Sequence, residues 1–198
     1  MKRITCLILY LIVVSVLHAD FKIMGGMNLS KYRVLSETAG INWNNKLGFL
    51  AGIGLEKDFA PHTILGVDIL YFVKGCQVEI RGHSPFKYDL RVLSLPIMLK
   101  IKLLEETSPY VVGGIELSCI LSHKIKLEKQ PEVDLKENTR SFDYGFVAGF
   151  GFELKIEEHL FLFIEARYHQ GKVNLMSNPG AEESMFTRSI LAVLGVKS

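Results

Sequence analysis

The sequence has little of what marks several common protein classes. It has 6 Pro and 17 Gly in 198 residues, too few for a low-complexity or collagen-like chain. Lys plus Arg number 23 against 21 for Asp plus Glu, with no basic block, so no nucleic-acid partner is expected. Cys6, Cys76 and Cys119 include no CxxC pair, so neither a zinc site nor a disulfide framework is predicted. The length suits one domain.

The first nineteen residues have the composition of an export signal. Two basic residues precede an apolar run over residues 4–17, and Ala19 then offers a small residue at which cleavage can occur. The run is shorter than a membrane-spanning helix, which needs about 20 residues. We therefore predict a signal peptide over residues 1–19 and a single mature domain over 20–198. The alternative is a buried N-terminal helix.

Beyond residue 20 the apolar residues recur every two positions, which is the period of a β-strand. In the stretch 142–155, apolar residues occupy the even positions up to Leu154, and Asp, Gly, Glu and Lys occupy most odd positions. The same alternation recurs over 22–32, 46–56, 65–74, 88–103, 110–124, 160–169 and 189–197. Eight strands of about 10 to 15 residues are predicted. Strands of that length suit a tilted membrane crossing, which needs about 9–11 residues.

The connections between these strands alternate between short and long. Short connections lie at 58–62, 105–109 and 157–159, and long polar ones at about 33–44, 76–87, 125–140 and 170–184. An up-and-down barrel with both termini at one rim produces this alternation. The predicted fold class is therefore all-β, an eight-stranded antiparallel up-and-down transmembrane β-barrel, whose closure leaves no unpaired strand edge in lipid.

One face of each predicted strand is apolar, and the charged residues fall on the other face. In a membrane barrel the apolar face meets lipid, so the charges point into a lumen that side chains fill when there are eight strands. On this facing, Phe150→Asp is expected to block membrane assembly far more than Gly149→Asp. A salt-bridged packing of the lumen charges is favoured over an ion or proton path. The predicted lumen charge network consists of Glu56, Asp68, Lys100, Glu116, Glu153, Glu165 and Arg167.

Neighbouring histidine and serine residues raise the question of catalysis. The candidates are His83 with Ser84, and Ser122 with His123. Adjacent strand residues point to opposite faces, so Ser122 and His123 are not expected to form a nucleophile–base pair. His83 and Ser84 fall in a long loop, where a solvated side chain is the favoured interpretation. No catalytic, cofactor-binding or metal-binding residue is predicted.

Six aromatic residues near strand ends or loops are interpreted as an interfacial belt at the headgroup level. Packing in a protein core is the competing interpretation. The six are Tyr32, Trp43, Tyr71, Tyr110, Tyr144 and Tyr168.

Five segments carry a family resemblance. Residues 93–100 read LSLPIMLK and 109–114 read PYVVGG, while 25–30 read GGMNLS, 47–52 read LGFLAG and 146–151 read FVAGFG. These segments resemble strands of the PorT-like outer-membrane β-barrel proteins, which are similar to the small eight-stranded OmpA and OmpX barrels. The resemblance covers the mature chain and implies an outer-membrane barrel. Members usually end in an aromatic residue that the assembly machinery recognises, whereas this chain ends in Val-Lys-Ser.

The expected function is a non-enzymatic structural or interaction role in the outer membrane of a Gram-negative envelope. The expected partners are outer-membrane lipid, the barrel assembly machinery, and an envelope or extracellular protein that contacts the long loops. The loop at 127–140 is rich in both charge signs and is the favoured contact surface. Two alternatives stay open. One is a soluble lipocalin-like barrel that binds an apolar ligand, which the facing of the strands opposes, and the other is a lipid A-modifying barrel enzyme.

Overall fold

The computed structural model describes residues 19–34, 41–80, 84–104, 107–127, 131–177 and 184–198. Apart from Ala19, the predicted signal peptide over 1–19 lies outside the described residues. The described elements, in chain order, are β1 Asp20–Val34, β2 Ile41–Ala60, β3 Thr63–Ile80, β4 Phe86–Lys102, β5 Ser108–Leu127, β6 Val133–Asp134, the 3-10 helix Lys136–Asn138, β7 Phe142–Glu157, β8 Leu160–Gly171 and β9 Met185–Lys197.

Eight of these strands form a closed antiparallel ring. Neighbours in sequence pair with each other, β5 pairs with β7, and β1 pairs with β9 to close the ring. Strand β6 only extends the sheet beside the end of β5, where it pairs with Lys124 and Ile125. The predicted eight-stranded antiparallel up-and-down barrel is confirmed.

The two rims of the barrel differ. The lower rim carries both chain ends, with Phe21 and Ser198 exchanging two backbone hydrogen bonds of 2.9 Å, and it carries the short turns after β2, β4 and β7. The upper rim carries the connections after β1, β3, β5 and β8. In outer-membrane barrels the short turns are periplasmic and the longer loops are extracellular.

Side chains alternate between the outside and the inside of the ring, as the sequence pattern predicts. Phe150 on the outer face is 67% exposed and Leu47 is 64% exposed, whereas Leu50 on the inner face is only 2% exposed. The outer face therefore carries an apolar belt around the barrel, of the kind that contacts lipid. The interior is packed with side chains.

The strands are longer than predicted, and the upper connections are correspondingly shorter. The described ring strands have 12 to 20 residues, and β3 runs to Ile80 where a loop from residue 76 was predicted. Likewise β2 begins at Ile41, and β5 continues to Leu127. Above the apolar belt the chain meets water, where a paired strand and a loop can both satisfy their backbone polar groups. Antiparallel pairing therefore can and does continue beyond the belt.

A β-bulge in β5 corrects one predicted side-chain direction. Arg91 pairs with Ser122 but the next residue of β4, Val92, pairs with Ile120, so Leu121 is an extra residue. An extra residue reverses the alternation beyond it. His123 therefore points inward and is buried, whereas strict alternation had placed Ser122 and Lys124 on the inner face.

Three of the six predicted belt aromatics lie inside the barrel, so that interpretation is wrong for them. Tyr32 and Tyr110 are buried on the inner face, and Trp43 packs against the buried core beside Tyr32. The reason is their position in the alternation, since Tyr110 shares the parity of the lumen residue Glu116. Tyr71, Tyr144 and Tyr168 lie on the outer face.

Two segments at the upper rim, residues 135–141 and 172–177, are tied together over the mouth of the barrel. We call them the mouth strap. The backbone N–H of Arg140 donates to the carbonyl of Leu175 at 2.9 Å, and that of Ser177 donates to Asn138 at 3.0 Å. Leu175 itself is buried in the apolar cluster beneath. The predicted long loop therefore folds onto the barrel instead of extending from it.

Candidate functional site

Nine ionisable side chains facing the lower half of the lumen form one connected set, here called the lower charge network. They come from seven of the eight ring strands, and all except Lys102 are at most 4% exposed. The members are Lys22, Glu56, Asp68, Lys100, Lys102, Glu153, Glu165, Arg167 and Lys197.

Glu56 connects the first strands of this network. One carboxylate oxygen lies 2.9 Å from the Nζ of Lys22, and the other lies 3.0 Å from the Nζ of Lys100. Lys22 also reaches Asp68 at 2.8 Å, and Lys100 reaches Glu153 at 2.6 Å. Four ion pairs thus tie β1, β2, β3, β4 and β7 together across the lumen.

Glu153, like Glu56, has three lysines within 3.5 Å of its carboxylate oxygens. It is fully buried and accepts from Lys100, from Lys102 at 3.2 Å and from Lys197 at 2.9 Å. The Nζ of Lys197 also lies 4.9 Å from the ring centroid of Phe161. The two strands that contribute these lysines, β4 and β9, are not neighbours in the ring, so Glu153 braces opposite parts of the wall.

Arg167 fills the centre of the barrel between two carboxylates. Its Nη1 donates to Asp68 at 2.8 Å and its Nε donates to Glu165. The Tyr110 hydroxyl donates to the other oxygen of Glu165 at 2.8 Å. The planar guanidinium suits this geometry, because it presents several donors in a fixed arrangement to two acceptors.

A second set, the upper charge cluster, surrounds Glu116. The Nζ of Lys74 lies 3.2 Å from one carboxylate oxygen, to which the Ser118 hydroxyl also donates at 2.8 Å. The Nδ1 of His169 is hydrogen-bonded to the other oxygen. All four residues are buried.

The structure places all seven predicted lumen residues inside the barrel. Six belong to the lower charge network and Glu116 belongs to the upper charge cluster. Sequence reasoning missed four of the cations that neutralise them, which are Lys22, Lys74, Lys102 and Lys197. The alternation of inward and outward residues could have identified these four lysines, because each has the parity of the inward residues on its own strand.

The arrangement is suited to holding the wall together. Charges taken out of water are tolerated when each has a partner, and removing one partner is strongly destabilising. The pairing leaves each carboxylate of the lower charge network with at least one cation within 3.5 Å. Chemically, the lumen is a packed salt-bridged core.

The structure does not assemble the catalytic candidates. Both ring nitrogens of His123 are engaged, Nδ1 with the Thr139 hydroxyl at 2.8 Å and Nε2 with the Tyr32 hydroxyl at 3.2 Å. Ser122 lies on the opposite face of the strand. His83 lies outside the described residues, and Ser84 is exposed.

A different acid–histidine–serine order does occur in the upper charge cluster. His169 is held through Nδ1 by Glu116 and stands opposite Ser189 in the β8–β9 register. No local sequence pattern predicts this arrangement, because the three residues come from β5, β8 and β9. All three side chains are buried, which keeps a substrate carbonyl from the serine. In the described parts of the chain, no group of three or more His, Cys, Asp or Glu residues is placed to hold a metal ion.

The two cysteines among the described residues are both free and lie in different environments. Cys76 is buried and Cys119 is exposed on the outer face. No helix in the described parts of the chain has the length and hydropathy of a membrane span.

Comparison with known proteins identifies a family and several similar structures. The sequence model described as "Outer membrane protein beta-barrel domain" matches residues 17–175. The outer membrane protein OprG from Pseudomonas aeruginosa is 15% identical, with a TM-score of 0.57, over 91% of this chain and 96% of OprG. Neisserial surface protein A is 13% identical, with a TM-score of 0.54, over 89% of this chain and 95% of that protein. Among curated proteins, no sequence matches this chain.

Proposed function

The chain belongs to the outer membrane protein beta-barrel domain family, and from that premise we propose that it is a non-enzymatic protein with a structural or interaction role in a Gram-negative envelope. The observation that carries this proposal is the lumen. The lower charge network fills its lower half with paired charges, and Ser189, the described serine that stands opposite a histidine, is buried. The apolar belt on the outside opposes a soluble lipocalin-like barrel, whose apolar face points inward to its ligand.

We further propose that the chain belongs to the PorT-like branch. Its two most specific segments, residues 93–100 and 109–114, are neighbours in the structure, with Lys100 opposite Val112 and Leu99 opposite Gly113. The family signature therefore coincides with one paired stretch of β4 and β5.

The upper rim is the contact surface in this proposal. Above the apolar belt, Lys124 and Lys126 flank Glu132, and the hydrogen bonds from these two lysines lower the pKa of that carboxyl group. The mouth strap fixes the neighbouring backbone. A surface whose backbone is fixed in this way presents charged groups to an envelope or extracellular protein at a low entropic cost.

The first experiment is fractionation of cells that express the full chain, followed by gel mobility with and without boiling. We expect outer-membrane location and a faster-migrating unboiled band, since a closed barrel resists detergent. We also expect the N-terminal residue of the membrane form to be Asp20, where β1 begins. A protein recovered in the periplasm with no mobility shift would refute the proposal, and labelling by a serine-directed fluorophosphonate would refute its non-enzymatic part.

A further inference from the structure

Three neighbouring cations on the outer wall have no carboxylate partner among the residues that the structure describes, and we call them the outer basic patch. Lys31 and Arg33 lie on the outward face of β1, and Arg188 lies on the outward face of the adjacent strand β9. Lys31 stands directly opposite Arg188 in the register. Across the described residues, no salt bridge joins any of the three to an acidic side chain. Two positive charges are thus held side by side without neutralisation.

Elsewhere on the outer wall the barrel neutralises such a pair. Lys87 stands directly opposite Lys126 in the β4–β5 register. There the Asp89 carboxylate lies 2.8 Å from the Nζ of Lys126, and Glu132 lies 3.3 Å from it. Like charges directly opposite each other destabilise a sheet. Among the described residues, the outer basic patch therefore lacks an anion that would offset this repulsion.

The depth of the patch indicates where that anion comes from. The next outward residues below Lys31 and Arg188 are Leu29 and Ile190, the uppermost exposed large apolar residues of the two strands, and the half-buried Phe186 lies above Arg188. Lys31 lies ten residues above Phe21, which is about 33 Å of strand and about 25 Å along the membrane normal at a tilt near 40°. This height equals that of the apolar band of an outer-membrane barrel, about 25 Å. The cations therefore stand at the headgroup level of the outer leaflet.

We propose that the outer basic patch binds the phosphate groups of a phosphorylated lipid in the outer leaflet. Two guanidinium groups and one ammonium provide the donors, and arginine pairs with phosphate through two parallel hydrogen bonds. The acyl chains of the same molecule lie against the belt residues Leu29 and Ile190 directly below. A free anion gains only the charge contacts, whereas a lipid gains both. The proposal rests on the outer-membrane location of the barrel.

The test compares lipid binding by two triple variants with matched charge. The detergent-solubilised barrel is titrated with diphosphorylated lipid A and with its dephosphorylated form, and bound lipid is counted by native mass spectrometry. Removing the patch with Lys31→Gln, Arg33→Gln and Arg188→Gln is expected to weaken binding of the phosphorylated form about 100-fold. The control variant, Lys87→Gln, Lys124→Gln and Lys126→Gln, removes the same charge from the opposite wall and is expected to bind like the wild type.

Equal binding by the wild type and both variants would overturn the proposal. Displacement of the lipid by excess inorganic phosphate would show that the patch binds free phosphate as well as it binds lipid phosphate, and would overturn the proposed lipid specificity. The gel mobility shift of each variant shows whether the barrel is intact, and relief of charge repulsion predicts that it is. If the triple variant lacks the shift, Arg188→Gln alone is expected to weaken binding about fivefold. A wild-type protein without the shift would refute the barrel proposal itself, which keeps the two failures distinct.

Discussion

At Glu153, lysines from two non-adjacent strands converge on one carboxylate that solvent does not reach. The exposed carboxylate of Glu132 also accepts from two lysines, Lys124 and Lys126, but water competes for those contacts. The same ion pairing therefore has different consequences at the two sites. In the lumen a lost partner leaves desolvated charges, whereas at the upper rim water and counter-ions replace it.

We therefore expect Glu153→Gln to lower the free energy of unfolding by about 3–5 kcal/mol, because it leaves buried lysines without their anion. The measurement is urea unfolding of the barrel in phospholipid vesicles. Glu132→Gln is the matched control and is expected to leave the unfolding midpoint unchanged. Equal effects of the two substitutions would contradict the assignment of Glu153 to a buried network.

Single residues also mark how far the sequence could predict the interior. The side of the wall on which Asp68 and Arg167 lie follows from alternation within one strand. Their contact does not, because the two residues are 99 positions apart and meet only when the whole ring sets its register. The inward position of the lumen charges could therefore be predicted from the sequence, whereas their pairing partners could be identified only from the structure.

At the scale of single strands, the alternation predicts where each strand crosses the membrane, and it fails where the alternation itself is interrupted. The bulge at Leu121 reverses the alternation of β5 and brings His123 inside, and no turn residue in the sequence predicts it.

A glycine affects a second expectation, the comparison of Phe150→Asp with Gly149→Asp. A Cβ at Gly149 would stand 2.4 Å from the carbonyl oxygen of Ala166, so Gly149→Asp is itself disruptive and is a poor control for Phe150→Asp.

Two exposed phenylalanines provide a better test of the facing. Phe150 lies at mid-height on β7, and Phe59, which is 75% exposed, lies beside the turn after β2 at the lower rim. Relative to Ala at the same position, Phe150→Arg is expected to lower the free energy of unfolding in vesicles by about 2–4 kcal/mol. Phe59→Arg is expected to lower it by only about 0–1 kcal/mol. Equal values for the two arginine variants would show that Phe150 does not face lipid.

At the scale of the whole molecule, two layers close the lumen. The lower charge network fills its lower half, and above it the mouth strap covers an apolar cluster that includes Tyr32, Leu90 and Leu175. The strap is anchored by Asp143, which accepts from the backbone N–H of Val173 at 3.0 Å and from the Thr187 hydroxyl at 3.1 Å. We therefore expect these two layers to block the passage of water through the barrel.

Purified protein in a planar lipid bilayer is therefore expected to give no stepwise ionic current. A porin inserted under the same conditions provides the positive control, and the heat-dependent gel shift confirms that the test protein is folded. Reproducible conductance steps from the wild-type protein would contradict the packed lumen. They would favour an ion path through the lumen over a salt-bridged packing of its charges.

The pairing of β1 with β9 makes closure of the ring depend on both ends of the chain. The strand that comes first along the chain needs the one that comes last as its neighbour, from Lys22 opposite Lys197 to Val34 opposite Met185. Until these two strands pair, each keeps one edge of unpaired backbone. While those edges are open, the chain is most prone to pair with another copy. A chain stalled before β9 would keep two open edges.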